Sequence, residues 1–230
     1  MSLDRCKHCL QQRACALGEL REWVGSQTTS SSLIKGQHAF RQADAFVGLY
    51  AVRSGVVKTY EITPHGTENV TGFHLPGDVI GLDGLKDNRH LLAAVALERT
   101  TLCVLAEQRL FAAMRGSPHL CSRVLSLMSA AMDHDQQRAR LMQHLRAEER
   151  LADFILQLAE RYGRQHLSRT RLRLPMSRTD IAGYLGLTLE SVSRAFRRLV
   201  DQGLIAADGR EVCIVDNAAL RCVARVALAS

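Results

Sequence analysis

A chain of 230 residues that is 47% hydrophobic and contains only 4 prolines is long enough for two folded domains, each with its own core. Its formal net charge of +7 favours a polyanionic partner, of which nucleic acid is the commonest. No apolar run of about 18 residues is present to cross a membrane, and the opening MSLDRCKHC lacks the apolar stretch of a secretory signal, so the expected compartment is the cytoplasm.

In that compartment seven cysteines, an odd number, suit metal ligands or thiols better than disulfides. Cys6, Cys9 and Cys15 fall together in CKHCLQQRAC. Thiolates this close can converge on one metal centre, which then needs a fourth ligand from elsewhere. Zinc suits a CxxC pair, but its usual second half, another CxxC or a His pair, is absent. An iron–sulfur cluster also takes four thiolates. Spacing alone leaves both open.

Between about Leu33 and Ala106 the chain breaks into short apolar runs punctuated by Gly and Pro: FVGLYAVRSG, VVKTYEITPHG, VTGFHLPGDVIG, LLAAVAL and TTLCVLA. This pattern predicts a compact β-roll or jelly roll. Cys103 lies in the last run. A lone cysteine on a strand is ordinarily a small core residue, yet the N-terminal triad needs one more sulfur and Cys103 is the leading candidate. Cys121 competes with it, while Cys213 and Cys222 read as packing residues.

From Pro118 to about Leu145 nothing interrupts a helix, which at 1.5 Å per residue is roughly 40 Å long. Leu120, Val124, Leu127, Met128, Ala131, Met132 and Asp135 trace a stripe at near-heptad spacing. Such length favours a parallel homodimer contact, for which we take Val124, Met128, Met132 and Asp135 as the candidates. Two Asp135 charges facing each other across a two-fold axis would oppose that dimer. Glu148 to Glu160, with the run ERLADFILQLAE, resumes a helix that leads into the second domain.

Met176 to Ile205, MSRTDIAGYLGLTLESVSRAFRRLVDQGLI, reads as a helix-turn-helix. Ser177 caps the first helix, with Asp180 closing a capping box, and Ile181, Ala182 and Leu185 share a face that ends at Gly186. Thr188 caps the second helix, and Leu189, Val192, Phe196, Leu199 and Val200 are its expected buried stripe. The opposite face carries Glu190, Ser193, Arg194 and Arg197. Carboxylate, hydroxyl and guanidinium are the groups that read base edges in the major groove, while Arg197 and Arg198 suit phosphate. LIAADGREVCIV then predicts two strands about an Asp208-Gly209 turn, a wing, and the tail from Ala218 reads as a short helix. The chain holds no phosphate loop, HExxH or nucleophile elbow, and its 9 histidines stand singly, so it is not expected to be an enzyme.

Taken together, these motifs resemble the CRP/FNR family of bacterial transcription regulators along nearly the whole chain, and the FNR branch above all. Cys-x2-Cys-x5-Cys is similar to the FNR cluster spacing, and LERTTLCVL puts Cys103 where that branch has its fourth ligand. LYAVRSGVVKTY and TGFHLPGDVIG resemble the sensor roll, AEERLADFI the hinge, and MSRTDIAGYLGLTLESVSR the reading unit.

The resemblance implies an α+β fold: an N-terminal cyclic-nucleotide-binding-like β-roll (a double-stranded jelly roll), a long dimerisation helix and a C-terminal winged helix-turn-helix. The expected divisions are 1–20, 21–116, 117–146 and 147–230. It further implies a 4Fe–4S cluster on Cys6, Cys9, Cys15 and Cys103. With the cluster intact, a homodimer binds double-stranded DNA at TTGAT palindromes through Glu190, Ser193 and Arg194 when oxygen is absent. Oxygen converts the cluster to a 2Fe–2S form and the dimer loosens. A regulator of the same fold answering nitric oxide, haem or zinc is the alternative. The loop Asp83 to Arg89 would touch RNA polymerase. No cyclic nucleotide is expected, because the Gly-Glu and Arg-Ser/Thr pairs of nucleotide-binding relatives are Gly77-Asp78 and Arg89-His90 here. Only five residues precede Cys6, and Ala14 stands where relatives commonly have Leu; both imply a less shielded cluster.

Overall fold

The computed structural model describes residues 29–144 and 146–224, which divide between two compact units, 1–134 and 135–230. Among the described residues no helix is long and apolar enough to cross a membrane.

The first unit is built on strands whose alternation is apolar on both faces. In β3 (Gly48–Ser54), Leu49 and Ala51 point one way and Tyr50 and Val52 the other. β8 (Thr100–Ala106) repeats this, with Cys103 and Leu105 on one side and Leu102 and Val104 on the other. A strand buried on both faces must be covered twice. One cover is a second sheet. β1 (Thr29–Leu33), β8, β3 and β6 (Val79–Ile80) form one antiparallel sheet, in the order β1-β8-β3-β6. β2 (His38–Phe40), β7 (Ala93–Ala96), β4 (Val57–Ile62) and β5 (Glu68–His74) form the other, in the order β2-β7-β4-β5. Between them lie Leu33, Phe40, Tyr50, Val52, Val57, Ile80, Ala94, Ala96 and Leu102, which is the predicted β-roll. Gly48 begins β3 at φ 145°, and a Cβ there would stand 2.0 Å from the Leu105 carbonyl oxygen, so the two strands can meet only at a glycine.

The other cover is helical. α1 (Glu107–Gly116) contributes Leu110, and α2 (Pro118–His144) contributes Leu120 and Val124, to a layer with Phe46, Leu49, Ala51 and Leu105. Ser117 Oγ accepts from the Leu120 amide at 3.2 Å and starts α2. The 27 residues of α2 match the predicted helix, but its stripe differs from expectation. Val124 is 2% exposed and packs within its own unit, so it is not at the surface as a dimer contact requires. The reason is reach: only the first two turns of α2 lie on the sheet, and further along Met128 and Met132 are exposed.

The second unit is organised on α3 (Ala147–Arg164), whose Leu151, Ala152, Ile155, Leu156 and Leu158 are buried. The Arg146 amide donates to Glu149 Oε2 at 2.8 Å and fixes its start. α4 (Arg178–Leu185) and α5 (Leu189–Asp201) follow, then β10 (Ile205–Asp208), β11 (Glu211–Ile214) and α6 (Asn217–Val223); α3 packs on α5 and α6. The wing has three strands rather than two, because β9 (Arg171–Arg173) pairs with β11 ahead of the helix-turn-helix. An Arg-Leu-Arg triplet carries too little alternation to announce a strand.

Candidate nucleic-acid interface and sensor positions

Local chemistry builds the helix-turn-helix as expected. Ser177 Oγ accepts from the Asp180 amide at 3.0 Å, and Asp180 Oδ2 accepts from the Ser177 amide at 2.9 Å. Gly186 closes α4 at φ 63° and lets the Leu187 amide reach the Ala182 carbonyl at 2.9 Å. Thr188 Oγ1 accepts from the Ser191 amide at 3.1 Å and opens α5.

On α5 the buried arc is Val192, Ala195, Phe196 and Leu199. Leu189 and Val200, expected there, are 48% and 39% exposed. At 100° per residue they sit about 60° and 80° round from Val192, past the arc's edge, whereas Ala195, which the sequence reading missed, falls inside it. Glu190, Ser193, Arg194 and Arg197 are all exposed on the far side. Glu190 Oε1 and Arg194 Nη1 pair at 3.1 Å. Ser193 donates its hydroxyl hydrogen to the Leu189 carbonyl at 2.9 Å, which leaves its oxygen outward as an acceptor. Arg198, also expected to suit phosphate, is exposed and pairs its guanidinium with Glu148 in the first turn of α3. Arg178, which opens α4, was not singled out by sequence. Its guanidinium carbon lies 3.3 Å from the Phe196 ring centroid and its Nη2 donates to the Gly209 carbonyl of the wing turn at 3.4 Å.

Behind this face Asp153 is 6% exposed, and burial raises its carboxyl to about 6 although Gln157 Nε2 donates to it at 2.6 Å.

The predicted sensor positions are divided. Cys6, Cys9, Cys15 and Ala14 lie outside the described residues. Cys103 is half-buried on the side of β8 that faces α1 and α2, opposite Ser30 of β1 and Ala51 of β3. Its competitor Cys121, on α2, donates its thiol to the Met114 carbonyl at 3.3 Å. Cys213 is half-buried in the wing, whereas Cys222, expected to pack, is exposed. Among the described residues no three His, Cys, Asp or Glu side chains converge as a metal site. Of the dimer candidates, Met128 and Met132 are 36% and 61% exposed, and Leu125 beside them is 63% exposed; Asp135 is also exposed.

In the roll, His90 occupies the position compared above with the hydroxyl of nucleotide-binding relatives. It is 1% exposed and stacks on Phe40 with ring centroids 3.7 Å apart. Asp78 is held in its own turn by the Leu75 amide at 2.7 Å, and Arg89 Nη1 donates to the Ala43 carbonyl at 3.0 Å.

Residues 149–223 match the family described as Crp-like helix-turn-helix domain, and residues 31–117 the family described as cyclic nucleotide-binding domain. The chain is 42% identical over 185 residues to the transcriptional activator protein anr of Pseudomonas aeruginosa, covering 80% of this chain and 76% of that one. It is 36% identical over 220 residues to the fumarate and nitrate reduction regulatory protein of Escherichia coli, covering 94% and 88%. Among solved structures it is similar to FixK2 from Bradyrhizobium japonicum, with a TM-score of 0.80 at 29% identity over 88% of this chain and 100% of that one.

Proposed function

Because the chain belongs to the CRP/FNR family of transcription regulators, we propose that it is an oxygen-responsive, homodimeric activator that reads TTGAT palindromes and carries a 4Fe–4S cluster on Cys6, Cys9, Cys15 and Cys103. The observation that carries the sensing part is the position of Cys103. Its thiol belongs to the same layer as Leu49, Ala51, Leu105, Leu120 and Val124, the residues on which α2 is anchored. The donor set fits the group: four thiolates suit iron–sulfur, and the one described thiol is half-buried. When bound, the cluster supplies an oxygen-reactive iron centre.

The remaining work is done by the chain. Any change in how β8 holds Cys103 is felt by side chains in van der Waals contact with the first turns of α2, since a packed layer transmits displacement. Leu125, Met128 and Met132 offer the apolar surface for a second copy of α2, and Asp135 opposes its approach, so the dimer is held near balance. Dimerisation supplies two α5 helices on one duplex and doubles the phosphate contacts, so losing it removes most useful affinity. On α5, Arg194 suits guanine O6 and N7, Glu190 suits cytosine N4, and Ser193 presents a hydroxyl oxygen.

Two further parts of the reading have local support. His90, buried and stacked on Phe40, stands where nucleotide-binding relatives have a hydroxyl and presents none to a phosphate, which favours a roll without cyclic nucleotide. In the loop Asp83 to Arg89, Lys86, Asp87 and Arg89 are exposed, while Asp83 Oδ2 accepts from the Leu91 and Leu92 amides at 2.9 and 3.1 Å; this suits a fixed charged patch for RNA polymerase.

Purification without oxygen, followed by a visible spectrum and iron and sulfide analysis, tests the proposal. A brown protein with about four irons per chain is expected; a colourless protein with one zinc overturns it.

A further inference from the structure

We propose that Arg150 sets which half-site spacing the protein accepts on DNA, by locking the last turns of α2 to the end of α4. The inference rests on the dimer reading above and extends it.

Arg150 stands one turn into α3, and its guanidinium forks between two helix ends. Nη1 donates to the Leu185 carbonyl at 3.0 Å, and Nη2 donates to the Met142 carbonyl. Leu185 is the last residue of α4, and Met142 lies in the final turn of α2. Carbonyls at these positions have no intrahelical donor, and each helix presents its negative end there. One planar cation satisfies both, which a lysine ammonium cannot do with the same fixed geometry.

Neighbouring groups close the joint. A Cβ on Gly186, the residue that ends α4, would lie 3.5 Å from Met142 Sδ and 3.8 Å from Arg150 Nη1, so the turn of the helix-turn-helix abuts the fork. From α2, the Arg138 guanidinium lies 5.6 Å from the Tyr184 ring centroid of α4. Tyr184 is buried and meets the Phe154 ring of α3 at 5.7 Å. The final turns of α2, the start of α3 and the end of α4 are therefore tied at one place by two cations.

The capped, Gly-closed turn makes α4 and α5 one unit, so the joint decides how α5 is aimed from the last turns of α2. In a dimer joined along α2, two such joints fix the separation and tilt of two reading helices. That separation is what DNA measures, because half-sites lie one helical turn apart and a base pair more or less rotates one of them about the duplex axis.

The test uses the full-length protein, kept anaerobic, as wild type, Arg150→Lys and Arg150→Met, with oligomeric state followed by sedimentation. Each is titrated on three TTGAT palindromes: the natural central spacer, one base pair shorter and one longer. The expected result is that both variants remain dimers while their discrimination between spacers falls by about tenfold, the scale of one charge-assisted hydrogen bond. Lysine should retain part of the discrimination. Should Arg150→Met fail to fold, Arg150→Lys and Arg138→Gln decide the matter. Dimeric variants with wild-type discrimination overturn the proposal, as do variants that become monomers, since the role would then lie in assembly. A wild type indifferent to spacing removes the dimer reading itself, and this inference with it.

Discussion

The outward faces of α5 and α2 differ in kind although the two helices are built alike. Each buries an arc in its own unit, Val192, Ala195, Phe196 and Leu199 in one case and Leu120 and Val124 in the other. Beyond that arc α5 shows Glu190, Ser193, Arg194 and Arg197, whereas α2 shows Leu125, Met128 and Met132. A charged face is satisfied by water until a polyanion with matching donors and acceptors arrives. An apolar stripe gains from any partner that removes it from water, and a second copy of the same stripe is the nearest such partner. On the proposed reading the contrast separates the two tasks of a regulator: α5 would hold the address, and α2 would decide whether two addresses are read at once.

The largest effect should come from breaking the apolar side of this contrast. Met132→Glu places a carboxylate in the proposed seam, and the protein should sediment as a monomer with affinity for a palindrome down about 100-fold. A variant that remains dimeric would place the seam elsewhere. On the charged side, Arg194→Ala should cost about 2 kcal/mol of discrimination at the half-site guanine, with a smaller loss on random DNA. Equal losses on both in a gel-shift titration would refute the base contact.

Asp153→Asn asks whether the unit behind α5 can be strengthened without touching its reading face. The Asp153 carboxyl is raised to about 6 in the fold by burial, against an ordinary value of 3.8. A raised folded value means that its contribution is fully favourable below about pH 4 and is lost as pH rises through about 6. Asparagine is neutral throughout and can still accept from Gln157. The variant should therefore be more stable by roughly 2 kcal/mol at pH 7 to 8, with the gain vanishing near pH 4. Thermal melts across that range check the sign, and a gain that grows towards low pH would contradict it. The smallest effect, about 1 kcal/mol, belongs to Asp135→Ala, which removes a like-charge contact from the proposed seam and should leave a dimer in air. A variant that sediments as monomer in air would sink that role for Asp135.

How far the chain could be read in advance follows the range of the interactions. Caps and turns are local, so Ser177, Asp180, Gly186 and Thr188 were legible as residues with defined jobs, and all four perform them. Alternation with glycine punctuation disclosed the roll, but not the order β1-β8-β3-β6, which depends on pairings across the whole domain. Periodicity found the faces of α5 and misjudged their edges at Leu189, Ala195 and Val200. Along α2 it could not tell Val124 from Met128, because the two lie on one side of the helix and differ only in whether a sheet stands opposite. Arg198 and Arg150 were hidden for another reason. Both look like ordinary helix-surface arginines, and their partners, Glu148 for one and the carbonyls of Met142 and Leu185 for the other, are set by tertiary structure.

If Glu190 and Arg194 read bases as proposed, the ion pair between them bears on how the protein searches a genome. Sliding over unmatched sequence, the two charges can keep each other at 3.1 Å, so neither is stranded against a base edge that cannot answer it. Both ends of the pair are well exposed, and pairs of this kind are worth no more than about 1 kcal/mol, so the exchange for cytosine and guanine is cheap where those bases stand in register. On that reading a wrong sequence is passed over because the helix has somewhere better to keep its charges, and Arg197, proposed as a phosphate contact, would hold the duplex during transit. Disrupting that internal option should slow the scan before it weakens the final grip.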